Sequence, residues 1–225
     1  MHFQLPKPLH GWRAFAGEVG IIVIGVLIAL AAQQIVEDIH DRAAVAQLRS
    51  ALRAELADDR ARWEDMRASD PCTLQRLEVL NQWATTAPAE AKLVRPFVLR
   101  LWNMHSSAWD VAKTSPATGN IPLDERLTYG ELYGAIDNWR EYFAEERANT
   151  IELAALLEDA DQSDSRRQIK FHVAKARVLQ RRRTENYPYF FKRFDALKIA
   201  PDFGQLTIAR DPKALCKPLE LAVRG

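Results

Sequence analysis

The sequence predicts an all-α protein in which one N-terminal transmembrane helix continues into an exported helical bundle that ends in an extended C-terminal tail. Three observations carry this prediction. Residues 15–36 hold a single charged side chain, Glu18, and Val19 to Ala32 has no polar side chain at all. Beyond the span, leucine, alanine, arginine and glutamate dominate while β-branched alternation is scarce, which favours helices over strands. From Val45 onward, apolar residues recur at spacings of three and four, as on one face of a helix.

At about 1.5 Å per residue, residues 15–36 reach roughly 33 Å, enough to cross a bilayer core of about 30 Å. Lys7 and Arg13 precede the span, and Glu37, Asp38 and Asp41 crowd its far side. By the positive-inside rule, residues 1–14 stay in the cytoplasm and everything after residue 36 is exported. In a Gram-negative cell that places the span in the inner membrane and the remainder in the periplasm. The competing assignment is a cleaved signal peptide, since Ala29-Leu30-Ala31 imitates a small-x-small cleavage site. Against cleavage, the helical pattern runs through that site into Gln33 to Glu37 without Pro or Gly. Within the span, Ala16 and Gly20, and Gly25 and Ala29, are pairs of small residues four apart, a spacing that lets helix backbones approach closely in lipid. Such residues are also common in membrane helices generally.

Residues 37–200 are assigned to the exported helical domain and residues 201–225 to the tail. Val45, Leu48, Leu52, Leu56, Trp63 and Met66 mark one stripe, with Arg49, Arg53, Asp58, Asp59 and Arg62 placed outside it. Ser69-Asp70-Pro71 predicts a stop, with Asp70 capping a new helix and Pro71 in its first turn. Leu74, Leu77, Leu80, Asn81 and Trp83 continue that second helix to Thr85-Thr86, and a third opens at Pro88 with Phe97, Leu101 and Met104 on one side. Ser106 to Pro122 is the one long irregular connection, flanked and interrupted by Trp102 and Trp109. Long loops on rigid scaffolds are often binding surfaces, so Trp102, Trp109, Gly119 and Asn120 are candidate contact residues. The alternative is that both tryptophans are core anchors that pin the loop. Thr128 and Glu131 have the spacing of a capping box, which starts a fourth helix running to about Ala160. A fifth begins near Ser163-Asp164, and after Pro188 the pattern weakens.

Charge is unevenly distributed in a chain of net charge +1. Residues 121–161 hold three bases against eleven acids, and residues 162–225 hold fifteen bases against six acids. The economical explanation is two consecutive antiparallel helices, one acidic and one basic, pairing along their edges, which selects register more than it adds stability. The sharper alternative is a basic-aromatic surface comprising Arg181, Arg182, Arg183, Tyr187 and Tyr189, suited to anionic lipid or an acidic partner protein. Export argues against nucleic acid.

Cys72 and Cys216 are the only cysteines, and both lie beyond the span, where thiols are normally oxidised. A bridge between them is expected to tie the second helix to the tail; two buried thiols are the alternative. Histidines 2, 10, 40, 105 and 172 are scattered, so a metal site would have to assemble from distant segments. The chain has no HExxH, CxxC, Walker loop, GxGxxG or GxSxG. No catalytic residue, metal or cofactor is assigned.

Glu18-Val19-Gly20 followed by an apolar run, Gly25 and Ala29-Leu30, and then a long charged helix, resembles a family of uncharacterised bacterial single-pass membrane proteins. Trp109 followed by Thr118-Gly119-Asn120 is similar to that family's Trp-to-Gly element before a long helix. After the span this chain has Gln33-Gln34-Ile35-Val36 where relatives often have an Asn-Asn-Trp-type junction. The resemblance implies a short cytoplasmic start and an all-helical exported domain, and it implies no activity. The expectation is therefore a non-enzymatic interaction or scaffold protein, an accessory subunit partnered by an integral membrane protein or by copies of itself. The alternative is a periplasmic ligand sensor acting through a partner subunit.

Overall fold

The computed structural model describes residues 11–86, 91–93, 103–158, 163–205 and 221–223. These residues are overwhelmingly helical: α1 spans Trp12–Thr86, α2 Ser107–Thr114, α3 Leu123–Glu158 and α4 Ser163–Ala196. Two three-residue strands, β1 (Ala91–Leu93) and β2 (Leu221–Val223), pair antiparallel with Lys92 opposite Ala222. The chain divides into two compact units, Met1–Gln47 and Leu48–Gly225, and α1 contributes to both.

In the first unit α1 is apolar on every side over residues 19–32, and its large side chains there are exposed, Ile21 at 74%, Ile28 at 65% and Leu27 at 59%. A helix that is apolar all round needs a nonpolar environment on every face. Among the described residues this is the one helix long and apolar enough to cross a membrane, a property shared by membrane anchors and by signal sequences.

In the second unit α1, α3 and α4 share a core. Leu52, Leu56, Trp63 and Met66 of α1 meet Leu132, Tyr133, Ile136 and Phe143 of α3 and Tyr187, Phe190 and Phe194 of α4. A second cluster joins Leu77, Leu80 and Trp83 to Leu153, Ile169 and Val173. Trp63, fully buried, is the hub of the first: it stacks on Phe190 at 4.0 Å and meets Trp139 and Tyr187 edge-on at 5.7 Å. Such pairs add about 0.5–1.5 kcal/mol each beyond the area they bury.

The acidic and basic segments pair as the charge asymmetry predicts. Along α3 the partners on α4 run in reverse order, Glu131 with Arg193, Glu145 with Lys175 and Glu152 with His172, so these helices are antiparallel. Buried Asn149 reinforces the register by donating to the His172 carbonyl. Helix α4 also runs antiparallel to α1 through Arg60–Asp195 and Arg177–Glu78.

Four sequence expectations are corrected. Ser69-Asp70-Pro71 does not stop α1, which passes through Pro71 to Thr86. Asp70 is not a cap; its carboxylate takes Arg183 and the Tyr187 hydroxyl, and its carbonyl accepts from Gln180 at 2.8 Å. The proline removes one helical hydrogen bond, but core contacts on both sides, Met66 before it and Leu77 after it, hold the axis. Pro188 is likewise inside α4, followed by buried Phe190 and Phe194. Thr128 is no cap, since α3 has already begun at Leu123 and the Thr128 hydroxyl donates back to the Asp124 carbonyl at 2.9 Å. The third helix expected from Pro88 is a strand at Ala91–Leu93, and its later positions Phe97 and Leu101 lie outside the described residues.

Candidate functional site

The most concentrated group of polar side chains lies where α1 meets the segment entering α2. Asp59 sits at the position between Leu56 and Trp63 that the apolar stripe would give to a hydrophobe, and it is fully buried. Its two carboxylate oxygens accept the His105 backbone N–H at 3.1 and 3.3 Å. Asp58, nine-tenths buried, receives Arg62 through Nε and Nη2 at 3.1 and 2.9 Å on Oδ2. His105 Nδ1 lies 3.2 Å from the same oxygen, and Asp58 Oδ1 has no hydrogen-bond partner among the described residues. Burial pushes the Asp59 carboxyl well above its ordinary value; the His105 amide opposes that, and the nearby Glu55 and Asp58 charges add to it.

One turn earlier, Glu55 accepts the Ala108 backbone N–H at 3.0 Å and the Ser107 hydroxyl at 2.6 Å. Ser106 makes no side-chain cap for α2, so an acid from another helix satisfies the exposed amides and the dipole there. Ser106, buried, instead accepts from Arg140 of α3. Three acids of α1 thus fasten the start of the segment 103–122 to the core.

The segment expected to be irregular is ordered as α2 and a 3-10 turn over Pro116–Asn120, closed by the Thr118 hydroxyl on the Ala112 carbonyl. Trp109 stacks on Tyr133 at 5.3 Å with rings 4° from parallel and covers Gly130, where an added Cβ would stand 3.6 Å from its ring. It is a core anchor, the alternative weighed for it above. Gly119 and Asn120 are exposed on the 3-10 turn, while Trp102 lies outside the described residues.

The basic-aromatic surface is only partly a surface. Arg181, Arg182 and Tyr189 are exposed, but Arg183 and Tyr187 are buried at 5%. Arg183 joins Asp70 of α1 to Glu146 of α3. Burial works against its charge, but Glu146 and Asp70 outweigh that and push Arg183 further up. Arg182 lies over the Tyr142 ring at 5.6 Å and Arg193 over Tyr189 at 3.5 Å. A shallow groove of about 300 Å³ between α3 and α4 is lined by Gly130, Gly134, Asn138, Trp139, Asn186 and Tyr189 among others.

Along the apolar part of α1, Ala16, Gly25 and Ala29 are exposed and Gly20 half-exposed, with open space around both glycines. Cys72 is not a free thiol, and Cys216 lies outside the described residues. The Asp58–Asp59–His105 grouping does not show in the sequence, where both aspartates are placed outside the apolar stripe. The available signal was the i+3 spacing of Asp59 from Leu56, which puts a carboxylate on the buried stripe.

No protein-family model, curated protein or solved structure matches this chain.

Proposed function

We propose that this protein is a membrane-anchored, non-enzymatic interaction or scaffold protein, an accessory subunit of a larger membrane or envelope complex, akin to the uncharacterised single-pass family it resembles. The observation that carries this is the helix α1, whose apolar first part has no burial within the chain and whose later part lines a helical core without an intervening break. Residues 15–36 are retained in a bacterial inner membrane with residues 1–14 in the cytoplasm and a helical bundle in the periplasm. Confinement to the membrane raises the bundle's effective concentration for other membrane proteins. Ala16 with Gly20, and Gly25 with Ala29 on the opposite side of the helix, form two small-residue packing sites for membrane helices of the partner or of a second copy. Gly119 and Asn120, held out on the fastened 3-10 turn, are the exported contact points. The test is extraction of the native protein in mild detergent, followed by size separation and mass spectrometry of whatever comigrates.

The α3–α4 groove favours a second reading, a ligand sensor. Trp139 and Tyr189 offer ring faces and Asn138 and Asn186 offer amides, a lining suited to a small polar metabolite. A thermal shift on adding such a metabolite, lost in Asn138→Leu, distinguishes the sensor from the scaffold.

A further inference from the structure

We propose that Asp58, Asp59 and His105 form a site for one divalent transition-metal ion of the zinc class, bound by two carboxylates and one imidazole. The three side chains offer ligand atoms that all lie within 4.8 Å of one another. His105 Nδ1 is 3.2 Å from Asp58 Oδ2 and 3.9 Å from Asp59 Oδ1. Ligands about 2.0–2.2 Å from a tetrahedral zinc stand roughly 3.4 Å from each other, so these separations bracket the edge of such a site. One imidazole among oxygen ligands suits zinc better than magnesium or calcium.

The charges around the site point the same way. Asp59 has no Lys or Arg within ion-pair distance among the described residues, and Arg62 is committed to Asp58. Arg62 is one cation for two buried carboxylates, and a bound dication would supply the positive charge still lacking at Asp59. Arg62 reaches Asp58 through Oδ2, the oxygen that also faces His105 Nδ1, and so orients the carboxylate at the site, while Asp58 Oδ1 is buried and has no hydrogen-bond partner among the described residues. The His105 amide can hold one oxygen of Asp59 as the other turns to the ion. Such outer contacts recur around metal ligands because they fix direction and basicity. The His105 side chain is 41% exposed, which leaves a path from solvent to the site. Because the ligands come from α1 and from the segment entering α2, the ion would clamp residues 103–122 to the helix, independently of whether that segment meets a partner.

The full chain, purified in mild detergent and stripped with a chelator, is dialysed against Zn²⁺ and its metal content measured. One tightly held equivalent per chain is expected, with a rise in unfolding temperature that a chelator reverses. His105→Ala removes an exposed ring and keeps the backbone amide, so its fold should persist by circular dichroism while affinity falls at least tenfold. His172→Ala, which changes a histidine outside the cluster, should leave binding unchanged. Absence of a retained equivalent, or equal affinity in His105→Ala and the parent, overturns the proposal.

Discussion

Arg183→Met places the heaviest demand on the three-helix core. Arg183 is 5% exposed and bonds Asp70 of α1 and Glu146 of α3, while the Tyr187 hydroxyl donates to the other Asp70 oxygen at 2.6 Å. Methionine fills most of the aliphatic volume, so little packing is lost. Two carboxylates, however, are left without their cation, Asp70 buried and Glu146 partly buried. Breaking a buried ion pair in this way costs about 3–5 kcal/mol, against a total of about 5–15 kcal/mol for a typical domain. The variant should therefore unfold at a much lower urea concentration, read by tryptophan fluorescence of the full chain in detergent, since Trp63 lies against Tyr187 and Phe190. Adding Asp70→Asn and Glu146→Gln removes the stranded charges and should recover about 2 kcal/mol or more of that loss. A cost below about 1 kcal/mol for the single variant, or no recovery in the triple one, would refute the claim that these groups form a desolvated network.

Other outcomes are as definite. Reduction of a Cys72–Cys216 bridge, detected by alkylation and mass spectrometry, should lower stability by up to about 5 kcal/mol on the chain-entropy account; two alkylatable thiols before reduction would exclude the bridge. Gly134→Ala should stabilise the chain by up to about 1 kcal/mol, because a helical glycine with open space around it gains propensity without a clash. Trp109→Ala should cost about 2–3 kcal/mol, somewhat less than a fully buried tryptophan, and should raise proteolysis of residues 103–122 if Trp109 pins that segment. Burial raises the phenols of Tyr133, Tyr142 and Tyr187 above their ordinary value. Their stabilising share is thus complete below about pH 10 and is lost above it, at up to about 4 kcal/mol per pH unit for three coupled protons. Alkaline unfolding concurrent with phenolate absorbance is the check, and free titration of all three phenols in the folded chain would contradict it.

What could be read from the residues, and what could not, divides along physical lines. The apolar run, the end at Thr86, the start at Ser163 and the acidic-to-basic pairing of α3 with α4 follow from local pattern, because length, capping and charge act within or between adjacent segments. Pro71 and Pro188 misled for one shared reason. A proline penalises a helix locally, whereas the contacts that carry the helix past it, Leu77 in one case and Phe190 in the other, come from distant chain. Arg183 looked like part of a solvated run of three arginines, and only its partners on two other helices explain why it is buried. The Asp58–Asp59–His105 group needed the fold to bring together positions 46 and 47 residues apart, although Asp59 on the apolar stripe was an anomaly already present in the spacing.

The central claim, a retained membrane anchor that serves a stable partner, is tested most directly by mild detergent extraction of the native chain, with mass spectrometry of the size-separated material. An uncut chain should comigrate in fixed ratio with an integral membrane protein, and that partner should be lost when Gly20 and Gly25 are both changed to leucine. A chain cut after Ala31, or an intact one that migrates without a partner, would contradict it.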